Sequence, residues 1–224
     1  MNLILSILVA ITSLSSVCSY PLEKRANPKG IDVSSNQGPV NWSKVKSNGI
    51  SFAYVKATEG TSYTNPDFAQ QYVGAYDQKI IRGAYHFARP GSSSGAAQAK
   101  YFTDHGGKWS ADGLTLPGAV DLEAGCSGLS HAAMVSWIKS FSDEYHSITK
   151  RYPVIYTTTS WWQECTGNTK EFASTSPLWL AHWASSAGTL PAGWTFYTFW
   201  QYADSGPNPG DQDVFNGSLT QLKK

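Results

Sequence analysis

Residues 116–126, LPGAVDLEAGC, decide how this chain is read. Pro117-Gly118 is a turn signal, and the short apolar run behind it ends in two acids, Asp121 and Glu123. On a strand, residues two apart share a face and lie roughly 6.5–7 Å apart. Asp121 and Glu123 therefore project together from a strand end, with Leu122 packed behind them. Paired acids repel when both are ionised, and burial adds to the cost, so one keeps its proton to higher pH. A protonated acid beside an ionised one suits glycoside hydrolysis: one protonates the leaving oxygen, the other stabilises positive charge or attacks. The same D-x-E spacing also describes two exposed acids at a strand end. The surrounding chain has to separate the two readings.

Outward from this stretch, strand-like and helix-like segments alternate. Strands are expected at residues 30–34, 50–57, 80–87, 116–122 and 153–157. Helices are expected at 41–48, from about 65 to 77, after the Gly/Ser loop 89–95, at 130–150 and near Trp161. The 130–150 helix carries Met134, Trp137, Ile138, Phe141 and Tyr145 on one face. After residue 165 the pattern changes: 178–183, 194–202 and 212–215 read as strands with little helix between them. Strand–helix alternation argues a parallel α/β sheet, and about eight strands in one domain of about 200 residues close most economically as a barrel. Asp32-Val33-Ser34-Ser35-Asn36-Gln37-Gly38 is not the glycine-rich phosphate turn of a doubly wound sheet. Barrel enzymes carry their catalytic groups at the C-terminal strand ends. Polar residues collect there: Asp32, Lys56 to Glu59, His86, Asp121 and Glu123, His182, and Asp211 and Asp213.

The chain has 224 residues, with 17 basic and 16 acidic, 9 Trp and 12 Tyr. Rings in a groove suit sugars, since a pyranose stacks its apolar face on them. Residues 3–17 form an apolar run too short for a comfortable membrane span, ending in small residues as a secretory signal does. Lys24-Arg25 resembles a dibasic processing site of fungal secretory propeptides. The expected organisation is a signal over 1–19, a short propeptide over 20–25 and one catalytic domain over 26–224. The mature chain would then be formally neutral, with no basic patch for nucleic acid. Cys18 leaves with the signal, so Cys126 and Cys165 are expected to pair in an oxidising compartment. Two isolated cysteines without clustered His make no zinc site, and no cofactor is called for.

The order of motifs resembles glycoside hydrolase family 25, the Chalaropsis-type lysozymes, in a secreted fungal form. The motifs are GIDVS at 30–34, FAYVKATEG at 52–60, GAYHF at 83–87, DLE at 121–123, WQY at 200–202 and residues 211–217. The resemblance spans essentially residues 29–224. It implies a modified TIM-like β/α barrel, five β/α units and then three strands with little helix. It implies cleavage of the β-1,4 bond between N-acetylmuramic acid and N-acetylglucosamine in bacterial peptidoglycan. It makes Glu123 the general acid and Asp121 the carboxylate, expected to stay ionised, that orients or stabilises the reacting group. Asp32 lies across the pocket, and Asp211, or Asp213 two residues on, is the last acid. Tyr54, Lys56, Glu59, Tyr85, His86, Trp183 and Trp200 are candidate pocket lining. Lys56 and Glu59 equally read as a strand-end ion pair, and His86 as a hydrogen-bonded core histidine. Ala181-His182-Trp183 departs from the Ala-x-Tyr of many relatives. The expected form is a secreted monomer acting on a glycan strand, with neither nucleic acid nor membrane as partner. The competing readings are a chitinase-like hydrolase, whose longer D-x-x-D-x-D-x-E run is missing here, and a wall-binding protein without activity.

Overall fold

The computed structural model describes residues 27–224. The signal and propeptide read at residues 1–25 lie outside the described residues. Strands β1 (Lys29–Val33), β2 (Ile50–Glu59), β4 (Ile81–Phe87), β5 (Ala119–Leu122), β6 (Val154–Thr157), β7 (Leu178–Ala181), β8 (Phe199–Ala203) and β9 (Asp211–Phe215) form one sheet. Because β1 pairs with both β2 and β9, that sheet closes into an eight-stranded barrel. A two-residue strand, β3 (Tyr63–Thr64), folds back on the end of β2. Helices α1 (Trp42–Ser47), α2 (Phe68–Asp77), α3 (Gly95–Asp104), α4 (His131–Thr149) and α5 (Thr159–Thr166) follow the first five barrel strands. No helix intervenes from β7 to β9 among the described residues, so the chain is five β/α units and then three strands.

The elements have local causes. Ser130 caps α4 by accepting from the Ala133 N–H, and Met134, Trp137, Ile138, Phe141 and Tyr145 bury one stripe against the sheet. Asn65 accepts from the Asp67 N–H and turns the chain into α2. The expected strand over 194–202 is shorter than its aromatic content suggested, beginning only at Phe199. Trp194 is instead a loop anchor. Its ring meets Trp162 edge-on at 5.2 Å and its N–H donates to the Ser176 carbonyl.

The last strand departs from an all-parallel barrel. Strand β9 runs antiparallel to both β8 and β1, because a short turn rather than a helical crossover joins it to β8. Asp211 therefore begins its strand, yet stands at the same barrel end as the C-termini of the others. Gly210 (φ +70°) makes this possible, since a Cβ there would collide with the Asp32 carbonyl.

The barrel interior is a packed core with a polar lid. Phe52, Tyr54, Ile81, Ala119, Val154, Trp179, Phe199 and Phe215 fill its lower layers. Gly30 and Gly83 supply room, because a Cβ on either would enter the ring of Phe52 or Tyr54. A second apolar layer lies between the barrel and its helices, led by Phe102, Phe141, Tyr145 and Trp162.

A disulfide joins Cys126, just beyond Glu123, to Cys165 in α5, 39 residues away. Closing a loop of that length removes chain entropy worth about 3–4 kcal/mol from the unfolded state. Replacing both cysteines by Ser should lower unfolding stability by about that amount, measured by denaturant titration.

Candidate active site

Alternation along each strand selects which residues look into the barrel, and height along the barrel selects which of those meet solvent. The uppermost inward positions are Asp32 on β1, Lys56 on β2, Tyr85 and Phe87 on β4, Asp121 on β5, Tyr156 on β6, Gln201 on β8 and Asp211 on β9. With Glu123 and Trp183 from the following loops they line a pit of about 290 Å³ floored by Trp179. A wider groove of about 680 Å³ continues from it, sharing Glu123, Tyr156 and Trp183 and walled by Thr158, Thr159, His182 and Thr189. Glu123 thus stands at the lip where pit and groove meet.

Gln201 organises the pit. Its Nε2 donates to Asp32 Oδ2 at 2.8 Å and to Asp211 Oδ2 at 3.0 Å. Its Oε1 accepts from Tyr156 Oη at 3.0 Å and Trp183 Nε1 at 2.9 Å. Every donor and acceptor of the carboxamide is used, so its orientation is determined. Trp183, 58% exposed, is therefore tethered by its ring N–H to Gln201, and through it to Asp32 and Asp211.

The acids crowd one another. Burial, then the Asp211 charge, push Asp32 up to about 7. Burial, followed by the charges of Asp204 and Glu123, push Asp211 up to about 6. Burial holds Asp121 well above the usual carboxylate range, and Glu123 and Asp32 add to it. Its Oδ1 is buried without a hydrogen-bond partner among the described residues. Burial and the neighbouring acids thus oppose the ionised form expected of Asp121. Glu123 keeps open solvent contact, yet desolvation in the groove raises it too, opposed by Lys56 and Arg89. Those two cations are clamped by Glu59, which accepts from Lys56 Nζ at 2.7 Å and from Arg89 Nη2 at 2.6 Å. Burial works to raise Glu59, but the hydrogen bonds and charges of its two partners hold it below the usual range.

The structure gathers Asp32, Lys56, Tyr85, Asp121, Glu123, Trp183 and Asp211 around the pit and moves five candidates elsewhere. Tyr54 points inward but one layer down, fully buried, donating to the Pro117 carbonyl and stacked 4.6 Å from Trp179. Asp213 likewise lies a layer below Asp211, accepting from Trp179 Nε1. His86 points outward between barrel and helices. It bonds Thr58 Oγ1 and Gln98 Oε1, and burial lowers its pKa to about 4, so it is a neutral core histidine. Trp200 faces outward between Phe199 and Gln201, its ring near Tyr197 and Tyr202 and its N–H on the His182 carbonyl. Glu59 reaches the pit only through Lys56. Conversely, Gln201, Tyr156 and Trp179 were not among the candidates, although Gln201 shares the inward parity of Phe199. Among the described residues no three His, Cys, Asp or Glu side chains are placed to hold one metal ion.

Comparison with known proteins agrees with this geometry. Residues 31–211 match the model of the glycosyl hydrolases family 25. The chain belongs to that family. An N,O-diacetylmuramidase of a Chalaropsis species is 53% identical over 205 residues, 88% of this chain and 97% of the relative. The solved muramidase of Acremonium alcalophilum shares 54% identity and a TM-score of 0.86 over 88% of this chain and 97% of its own. A family GH25 lysozyme from Aspergillus fumigatus gives 47% and 0.87 over 88% and 98%. This family 25 chain is accordingly a glycoside hydrolase with the barrel of its relatives.

Two outcomes follow from the pit. Trp183→Ala should raise KM for a glycan substrate with little change in melting temperature, because an exposed ring leaves no cavity, whereas Trp200→Ala should leave KM unchanged. Steady-state kinetics and thermal melts on both variants check this. The raised acids also set a pH dependence. Unfolded Asp loses its proton near 3.8, but folded Asp32 and Asp211 hold theirs to about 7 and about 6. Between those values the folded state binds extra protons, so stability should fall as pH rises from about 4 to 7, by about 1.4 kcal/mol per pH unit per extra proton. Asp32→Asn should flatten that slope in unfolding measured across the range.

Proposed function

We propose that this family 25 glycoside hydrolase is a lysozyme. It cuts the β-1,4 bond between N-acetylmuramic acid and N-acetylglucosamine of bacterial peptidoglycan. The observation that carries the reading is the acid pair at the end of β5, with Asp121 buried in the pit and Glu123 just beyond the strand at the lip of the wider groove. The names of relatives about half identical over most of the chain support the same substrate.

The reading assigns the muramoyl ring to the pit and the leaving sugar to the wider groove. Glu123, its proton retained by desolvation, sits at their junction and protonates the bridging oxygen. Asp121 lies on the same strand face, a poor place for a nucleophile that must approach from the opposite side of the ring. Its unpartnered Oδ1 is instead an acceptor waiting for a donor, and the 2-acetamido N–H of the substrate supplies one. Accepting that hydrogen bond favours the ionised form of Asp121 as positive charge develops. The acetamido oxygen then attacks its own anomeric carbon as the bond from that carbon to the protonated leaving oxygen breaks, and a water that gives its proton to Glu123 opens the resulting oxazolinium ring with net retention, as in the substrate-assisted exception to two-carboxylate hydrolysis. Asp32 and Asp211 shape the pit electrostatically, and Trp183 offers a stacking face.

The substrate lies outside the producing cell, which fits the secretory signal read in the sequence and the disulfide between Cys126 and Cys165. We read the enzyme as a secreted monomer. A chitinase-like specificity is the second reading, and clearing of bacterial walls beside hydrolysis of soluble chitin separates them.

Glu123→Gln should lose nearly all wall-clearing activity, because an amide cannot protonate the leaving oxygen. Asp121→Asn should be badly impaired but folded. Proton NMR of the first product should show the β-anomer; an initial α-anomer would refute acetamido participation while leaving Glu123 as the acid.

A further inference from the structure

Asp213 is a buried acid that the mechanism does not use. It has no exposed surface. On β9 it faces Gly30 of β1 and Gln201 of β8, two residues deeper than Asp211. Oδ1 accepts from Trp179 Nε1 at 2.8 Å, but Oδ2 has no donor among the described residues. The ionisable groups acting on it are acids: Asp32 and then Asp211. No ion pair of the described residues includes it. An ionised carboxylate so placed, with one neutral donor and no cation, would carry an uncompensated buried charge. The alternative is that Oδ2 carries a proton and needs an acceptor rather than a donor. The register points to Asp32 as that acceptor: Asp213 faces Gly30, two residues before the inward-facing Asp32 on the same strand, and Gln201, whose Nε2 bonds the Asp32 carboxylate.

We infer that Asp213 is held as a neutral acid whose O–H donates to the Asp32 carboxylate, making it a positioning residue for Asp32 rather than a pit-lining charge. Asp32 Oδ2 already accepts from Gln201 Nε2 at 2.8 Å. A second donor from below fixes the plane of the Asp32 carboxylate and stabilises its ionised form against burial and Asp211. The same proton removes a negative charge from the crowded barrel mouth. This explains why two acids two residues apart on β9 both point inward: Asp211 faces the pit, and Asp213 holds Asp32 from beneath. The role of Asp32 toward substrate rests on the function proposed above; the protonation state of Asp213 does not.

The test compares the wild type with Asp213→Leu and Asp213→Asn. Leucine keeps the approximate volume and removes the donor. Asparagine restores a donor, with its N–H₂ toward Asp32 and its carbonyl accepting from Trp179. On a soluble peptidoglycan fragment, Asp213→Leu should lower kcat at least about tenfold with little change in KM, and Asp213→Asn should recover most of it, to within about threefold of wild type. Difference infrared spectroscopy at neutral pH, wild type minus Asp213→Asn, should show the loss of one protonated-carboxyl stretch. If a natively folded Asp213→Asn is as slow as Asp213→Leu, Asp213 works as a carboxylate and the inference falls. An infrared difference showing only a lost ionised carboxylate overturns it as well. Should Asp213→Leu fail to fold, the asparagine variant and the spectrum decide the matter. The spectrum needs no substrate, so a wild type inactive on peptidoglycan would count against the proposed function and leave this assignment standing or falling on its own.

Discussion

Strand β9 runs backwards between β8 and β1, and the site depends on that closure. A parallel last strand would need a crossover and would deliver its start to the far end of the barrel. The antiparallel return instead opens β9 beside the end of β1, pairing Asp211 with Asp32 in register. Gln201 then stands beside both and can donate to each from one carboxamide nitrogen. The contact is close enough that the turn leading into β9 has space only for a glycine at position 210. A hairpin of a few residues thus sets the spacing of two acids that come from opposite ends of the chain.

The barrel mouth is arranged against its own stability. Burial raises Asp32, Asp121, Glu123, Asp211 and Asp213 together, and repulsion from neighbouring acids adds to it at all of them but Glu123, while the nearby cations Lys56 and Arg89 are engaged by Glu59. Acids in this state hold protons that free acids would have lost, which a proton-donating site requires. The packed layers below tolerate the cost. Aromatic rings fill the barrel beneath the pit, and a second apolar layer holds the helices to its outside. The Cys126–Cys165 bridge fastens the loop after Glu123 to the helix whose first turn walls the groove, so acid and groove keep a common frame.

Much of this was legible from residue order. Strand–helix alternation up to residue 165 and its failure afterwards specified the architecture, because a helix needs a periodic stripe to bury and the last third has none. The pairing of Asp121 with Glu123, and of Cys126 with Cys165, could be read from spacing and compartment. Strand parity could also have excluded two candidates. With Tyr85 and Gln201 turned inward, His86 and Trp200 must turn outward, and they do. The same parity would have pointed to Gln201.

Depth was not legible. Tyr54 and Lys56 share a face, as do Asp213 and Asp211, and alternation cannot tell which of each pair meets solvent. That depends on where each strand starts relative to its neighbours, a register set by pairings across the whole sheet. The direction of β9 was hidden for a related reason, since a short turn between two strands gives no local sign of which neighbours a closing strand will find. Sequence alone therefore determined which elements form, which residues carry proton chemistry and which face of each strand they occupy, because these follow from local periodicity and side-chain type. Only the tertiary structure decided which acids share the pit and which is sealed beneath it, because burial and like-charge repulsion depend on distances that exist only once the barrel has closed.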